Sequence, residues 1–387
     1  MLKLSVLFKV AFFLLITLFT GKGTSQTFQT ADRKAINKAQ LLAQHLSALS
    51  GHGILFGHQD DLAYGMGWAY EEGKSDVKKI TGDYPALYGF DLGHLELNST
   101  YNLDSVPFRK IREYIKRVYG KGGVITLSWH ANNPFNKRSA WDIDSSTVAS
   151  ILPNGSNHYL FREWLHTIAI FLKSLKTGSG EVIPVLFRPY HECTGNWFWW
   201  GKSACTDEQF KELWKFTFRF LTQTEQVHNL LYVFNTADFS TAEDFERRYP
   251  GDAYVDVVSF DAYQNSALPD AKKAFIATTQ QKLLLLTSFA KEHKKLSAIA
   301  EIGFENIPDT NWWTGTFYSI IKDYSINYIL TWRNGGLKKA TGKWQFQPSY
   351  SYFTPTKENA SATDFIRFKN IEKIIFQQKL TALKIYQ

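Results

Sequence analysis

Eight short runs rich in β-branched and aromatic residues punctuate this chain, and every one ends on a polar or aromatic residue able to do chemistry. They occupy residues 54–58, 86–91, 123–130, 182–191, 230–235, 255–261, 296–301 and 328–333, with segments of helical length between them. Alternation of this kind predicts parallel strands joined by helical crossovers, and eight repeats predict an α/β fold, a single (β/α)8 TIM barrel. Such a barrel takes roughly 250 residues. A chain of 387 residues therefore holds one barrel with long loops.

Candidate helices fall at residues 32–50, 105–119, 157–176, 207–227, 270–293 and 311–323, several opened by Asp, Ser or Asn in the capping position. Shorter ones are expected near 75–81 and 241–247, and a last helix at 362–379 is expected to close the ring. No linker, low-complexity stretch or internal repeat interrupts the pattern, so one catalytic domain is expected over residues 27–387. Residues 1–25 read as a secretory signal peptide: lysines at 3 and 9, an apolar run from Val10 to Phe19, then the small Thr24 and Ser25. The apolar run is shorter than the ~20 residues of a membrane span, and no cysteine follows it to accept a lipid. An exported protein, periplasmic or extracellular, is the expectation.

All eight strands of such a barrel point the same way, so their C-terminal ends converge on one face and the strand ends name the candidate site. They are His58, Asp91, His130, His191 with Glu192, Asn235, Asp261, Glu301, and Trp332 with Arg333. Two of these are carboxylates of special interest. Glu192 ends the string Arg188-Pro189-Tyr190-His191-Glu192 and is followed by the aromatic loop Trp197-Phe198-Trp199-Trp200. Glu301 ends the apolar strand Ser297-Ala298-Ile299-Ala300, where an acid is costly unless it is paired or used. Breaking a glycosidic bond needs one protonated carboxyl for the leaving oxygen and one ionised carboxylate at the anomeric carbon. Strands four and seven can present such a pair from opposite sides of the barrel mouth.

On these strings the chain resembles glycoside hydrolase family 26, the β-mannanase-type family of retaining (β/α)8 glycosidases, over nearly its whole length after the leader. The resemblance implies that Glu192 is the general acid/base, with His191 beside it contacting the sugar under attack, and that Glu301 in Ala-Glu-Ile-Gly is the nucleophile. It also implies substrate-binding roles for Trp197, for Tyr263 as hydrogen-bond donor to the nucleophile, for Trp332 beneath the sugar, and for His130, Arg188 and Arg333. No cofactor or metal belongs to this chemistry. The implied substrate is β-1,4-mannan or galacto- or glucomannan, cut internally or by release of mannobiose from chain ends, with β-glucan or xylan as the alternative within the family. Neighbours are expected to split the protonation states: hydrogen bonds to Glu301 from Tyr263 and Arg188 favour its charged form, whereas aromatic surroundings and a nearby carboxylate keep Glu192 protonated.

Composition narrows the remaining classes. Loss of the leader removes Lys3, Lys9 and Lys22 and lowers the formal charge from +8 to +5, with basic residues scattered apart from the 291–295 cluster, which argues against nucleic acid as a partner. A metal-dependent barrel hydrolase built on His58, His94, His130 and His191, with His58-Gln59-Asp60-Asp61 as its start, is a competing reading, as is a sugar-binding barrel without catalysis. Both glutamates are present, which disfavours the latter. Aromatic residues are abundant, with 12 Trp, 19 Tyr and 30 Phe, and most of the tryptophans (Trp68, Trp141, Trp199, Trp200, Trp312, Trp313, Trp344) can serve either packing or sugar stacking. The two cysteines, Cys193 and Cys205, sit in one loop of a chain expected to be exported, so a disulfide between them is expected. The loops at 92–102 and 337–356 are the places where a wall could turn an open cleft into a pocket. Oligomeric state is left open.

Overall fold

A computed structural model of the chain describes residues 28–335, the backbone of 337–340 and 343–346, and residues 351–387. The expected leader at 1–25, the Trp344 side chain and much of the 337–356 loop lie outside the described residues. Eight parallel strands form a closed barrel: β1 Ile54–Gln59, β2 Leu87–Asp91, β3 Val124–Trp129, β4 Val185–Pro189, β5 Leu230–Thr236, β6 Val257–Gln264, β7 Leu296–Phe304 and β8 Tyr328–Thr331. Each pairs with its neighbour in sequence, and β8 returns to β1 through the register Leu55 with Tyr328 to His58 with Thr331. The strands are buried along nearly their whole length because side chains fill the barrel interior and helices cover the outside. That is why they read as apolar runs rather than as alternating ones.

Helices at Phe108–Gly120, His158–Lys173, Asp207–Arg219 and Pro269–Glu292 fall where the sequence pattern put them. Asp207–Arg219 starts on a capping box, in which the Thr206 side chain accepts from the Gln209 N–H and the Gln209 side chain accepts from the Thr206 N–H. The expected last helix at 362–379 is instead two helices, Ala362–Lys369 and Gln377–Leu383, split by a short strand at Ile374–Ile375. The helix stops at Asn370, and the β-branched pair Ile374-Ile375 lies parallel to the outer edge of β1, with the Ile54 N–H donating to the Lys373 carbonyl at 2.8 Å. Among the described residues, no helix is long and apolar enough to cross a membrane.

A register shift in β7 positions the site. Phe260 pairs with Ile299 but Asp261 pairs with Glu301, so Ala300 is an extra residue, and the register with β8 also slips at this level. A bulge inserts one residue and re-aims the side chains beyond it. Here it sets Glu301 directly beside Asp261 on the neighbouring strand.

Candidate active site

The strand ends of β4 to β7 carry a compact charged centre. One carboxylate oxygen from each of Glu192, Asp261 and Glu301 lies within 4.8 Å of the others. Arg188, buried at the end of β4, joins two of them: one guanidinium nitrogen donates to Asp261 Oδ2 at 3.2 Å and the other to Glu301 Oε1. The second Glu301 oxygen, Oε2, accepts from the Tyr263 hydroxyl at 2.7 Å. Both oxygens of Glu301 are thus partnered, and its negative charge is met by a guanidinium that water does not reach. Asp261 Oδ1 accepts from Asn235 Nδ2 at 2.8 Å, yet burial and the neighbouring Glu301 charge push the Asp261 carboxyl well above the usual carboxylate range despite Arg188. The guanidinium already supplies the cation that this group of acids would otherwise take from solution.

Glu192 is held differently. Its backbone is left-handed (φ 52°), as is that of Tyr190 (φ 51°), a conformation costly for residues with a Cβ and retained where surroundings impose it. The Glu192 N–H donates to Asn235 Oδ1 at 2.7 Å, so one amide ties Glu192 to Asp261 across β5. Glu192 Oε2 accepts from the Trp197 indole N–H at 2.6 Å. That reach depends on Gly195, where an added Cβ would lie 2.6 Å from the Trp197 ring. Burial, then the nearby Glu301 charge, raise the Glu192 carboxyl to about 7, against the opposing hydrogen bond from Trp197 and the charge of Arg188. Glu192 is therefore held toward the protonated form that a proton donor needs near neutral pH.

Beside this centre lies a pair of imidazoles. His130 Nδ1 bonds Asp91 Oδ2 at 2.7 Å, and His130 Nε2 faces His191 Nε2 at 3.1 Å. Burial works against charge on both rings. For His130 the Asp91 carboxylate overcomes it and raises the ring, whereas His191, next to His130 and Arg188, falls well below the usual imidazole range. Burial would also raise Asp91, but the His130 charge and hydrogen bonds from His130, Ser128 and Gly93 bring it to about 2. The Trp332 ring stands 6.4 Å from His130. Arg333 lies further out: it forms an ion pair with Asp104 Oδ1 at 3.0 Å, with its guanidinium 6.0 Å from the Tyr64 ring, whose hydroxyl donates to the buried Asp60.

His58 does not join the other histidines. Its Nδ1 bonds Asp61 Oδ1 at 2.8 Å, Ser75 donates to the same oxygen, and no group of three potential metal ligands among the described residues includes His58, His94, His130 or His191. The metal-hydrolase reading thus loses its ligand set. Asp91, Asn235 and Asp261 stood in the sequence as strand ends without a role. Tyr64 and Asp104 carried no signal, and Asp60 stood only within the His58-Gln59-Asp60-Asp61 string, because the loops that gather them around Arg333 have no regular spacing.

The expected disulfide is absent: Cys193 and Cys205 are free, buried thiols. The Cys205 thiol turns back toward the Trp200 and Gly201 carbonyls at 3.6 and 3.7 Å. Arg248 closes the loop instead, donating to the carbonyls of Cys193 (3.1 Å), Trp200 (3.0 Å) and Cys205 and to Asp207 Oδ1 (2.8 Å). Spacing alone predicted a crosslink where a buried guanidinium does the stitching. Burial raises both thiols, so neither is reactive in the folded state. Alkylation should therefore add nothing to the native protein and two adducts in denaturant without reductant, read by intact mass; no adduct before reduction would restore the disulfide.

Trp199 and Trp200 anchor this same loop from within, donating to the Ala131 and His191 carbonyls at 2.9 and 2.7 Å. With Trp68, Trp312 and Trp313 they are core residues, not sugar platforms.

Residues 31–331 match the family described as glycosyl hydrolase family 26. A mannan endo-1,4-β-mannosidase of Bifidobacterium adolescentis is 28% identical over 93% of this chain and 38% of its own length. One from Bacillus subtilis is 34% identical over 54% of this chain and 57% of its own. The chain thus spans well under two thirds of these two relatives. Among solved structures, a β-mannanase of the same family from Bacteroides ovatus is 41% identical, with TM-score 0.84 over 91% of this chain and 98% of that one. With the barrel, the paired glutamates and the match over its central 301 residues agreeing, this chain belongs to glycosyl hydrolase family 26.

Proposed function

We propose that this protein is a retaining glycosidase that cleaves β-1,4-mannosidic linkages by double displacement. The observation that carries the reading is the approach of the Glu192 and Glu301 carboxylate oxygens to within 4.8 Å. Retaining enzymes hold their carboxyls about 5–5.5 Å apart, whereas inverting ones need about 6.5–9.5 Å to admit a water between acid and sugar. Glu192, protonated up to about pH 7, donates to the glycosidic oxygen as Glu301 attacks the anomeric carbon and forms a glycosyl ester. Esterification removes the Glu301 charge that helps hold the proton on Glu192. Glu192 can then take a proton from water, which attacks the anomeric carbon from the face that the departing chain vacated, breaks the bond to Glu301 on the opposite face and releases the sugar with its β configuration.

Mannan as substrate is supported by the names of the relatives and by the polar groups around the reacting sugar. His130, His191 and Arg188 are buried there, and a site that hydrogen-bonds a hydroxyl discriminates against a sugar that misplaces it. The leader-like run before residue 25 supports export to the periplasm or beyond. Fresh product from a β-linked manno-oligosaccharide is expected as the β-anomer by NMR, with manno-oligosaccharides cut faster than cello-oligosaccharides. The α-anomer would overturn the mechanism; faster cleavage of cello-oligosaccharides would overturn the substrate alone.

A further inference from the structure

The basic cluster at residues 291–295 has no part in the chemistry above, and the fold brings it a further cation. The cluster ends the helix Pro269–Glu292 and leads into β7, so it lies at the N-terminal ends of the strands, on the floor of the barrel. The catalytic glutamates are on the opposite face, roughly 25 Å away along β6 and β7. On the floor a cavity of about 580 Å³ is lined by Arg33, Asp252, Lys291, His293, Lys294 and Lys295. Glu292, the one acid within the 291–295 run, does not line it.

The acids nearby are already engaged. Asp256 is buried and accepts from the Ala31 and Tyr232 N–H groups, both at 2.7 Å. Asp32 accepts from the Lys34 N–H at 2.9 Å and bonds His228 Nδ1 at 2.7 Å. Asp252 Oδ1 bonds His293 Nδ1 and accepts from the Tyr249 hydroxyl, both at 2.9 Å. The cations are not engaged in the same way. Lys295 Nζ donates to the Asp252 and Val255 carbonyls at 2.7 and 2.8 Å, which orients its ammonium without neutralising it. Arg33, Lys291 and Lys294 are exposed, and none pairs with an acid among the described residues.

These charges feel one another. Burial lowers the Lys295 ammonium and the charge of Arg33 lowers it further, against the pull of Asp252 and Asp256. Both elements are anchored, the first by Ala31 on Asp256 and the second by the Lys295 bonds, so the cations cannot simply drift apart. Like charges gathered without a counter-charge oppose the compact state, and a bound anion relieves that repulsion.

The cavity also limits the ligand. Its volume falls within the range of about 300–1,000 Å³ typical of small-molecule sites. A nucleic acid strand needs a basic stripe or face, whereas here the unpaired cations converge on one concavity. A carboxylate brings a single charge, but a phosphate monoester carries about −1.5 to −2 near pH 7 and offers several acceptor oxygens to an arginine fork and lysine ammonium groups.

We propose that this cavity binds a phosphorylated ligand, with Arg33, Lys291, Lys294 and Lys295 around the phosphate oxygens. The phosphate can arrive on a soluble molecule or on a lipid at a membrane surface, since both present the same group. The site is separate from the glycosidase centre, and binding is read without hydrolysis.

Inorganic pyrophosphate is the probe, titrated by calorimetry into the whole protein at about 0.15 M chloride, where surface attraction is screened. Saturable binding at about one per chain is expected, with Kd below about 1 mM. Arg33→Gln combined with Lys291→Gln should weaken it at least tenfold; neither side chain has a partner to lose, so the variant should fold. Arg109→Gln combined with Lys273→Gln removes the same charge from exposed positions outside the cavity and should leave Kd within about twofold. No saturable binding by the wild type would overturn the proposal, as would equal weakening in the two double variants or tighter binding of a digalacturonate than of pyrophosphate. Vesicles separate the sources. Sedimentation with phosphatidic acid but not with phosphatidylcholine alone, lost in the Arg33 and Lys291 variant, would support a lipid phosphate; pyrophosphate binding without sedimentation would support a soluble one.

Discussion

Glu301→Gln is expected to lower kcat/KM on every β-glycan the wild type cleaves by roughly four orders of magnitude or more, the scale seen when a covalent nucleophile is removed. The amide has nearly the volume of the acid but cannot form the glycosyl ester, and no other group is placed to replace it. Asp261 is adjacent in register, but it is occupied by Arg188 and Asn235 and is pushed toward its neutral form. Arg188 keeps Asp261 as a partner, so the variant should fold, which circular dichroism and a thermal melt would check. Retention of more than about a tenth of wild-type activity in a folded variant would remove Glu301 from the role, since general electrostatic support alone cannot supply a covalent step.

Glu192→Ala should separate the two halves of the reaction. On natural substrates, where the leaving oxygen needs a proton, loss of the donor is expected to cost about 10²–10⁴-fold. On an activated aryl glycoside the first step should survive, and azide, which needs no base, should take the place of water and yield a glycosyl azide. The pH dependence has a definite sign. Glu192 must be protonated to act as donor, and its carboxyl is raised to about 7, so wild-type activity on natural substrates should fall as pH rises through about 7. With the activated substrate, formation of the ester in the variant should lose that alkaline limb. Equal loss on both substrates with no azide product, or an alkaline limb that persists in the variant, would assign the proton to another group.

Much of the barrel was legible because its strands are buried on both faces and so read as uninterrupted apolar runs. Their ends were legible because one polar residue closes each run, and this alone set Glu192, Asp261 and Glu301 on one face. The β7 bulge was not legible: Ala300 looks like any other strand alanine, and its extra place in the register appears only against Asp261 and Thr331. Neither was the break in the last helix, since Ile374-Ile375-Phe376 fits an apolar helical stripe as well as a strand, and only the open edge beside Ile54 decides. The cysteine pair misled for a related reason. Spacing tells how far apart two residues lie along a loop but not which way their thiols turn, and Arg248, 43 residues beyond Cys205, gave no sign of closing that loop. The tryptophans divide by burial, a property of tertiary packing that composition does not carry.

In the proposed double displacement, the sharing of Arg188 between Asp261 and Glu301 also bears on what happens between the two chemical steps. When Glu301 becomes an ester it can no longer balance a cation, and a guanidinium stranded in a dry interior would cost several kcal/mol. Asp261 prevents this. Its carboxyl is driven toward neutrality in the resting enzyme chiefly by burial and by the Glu301 charge, and the second of these vanishes on esterification. The negative charge that balances Arg188 can thus pass from one acid to its strand neighbour as the intermediate forms and return as it breaks down. On this reading the covalent adduct takes one negative charge from the centre of the barrel and leaves Arg188 still balanced by Asp261.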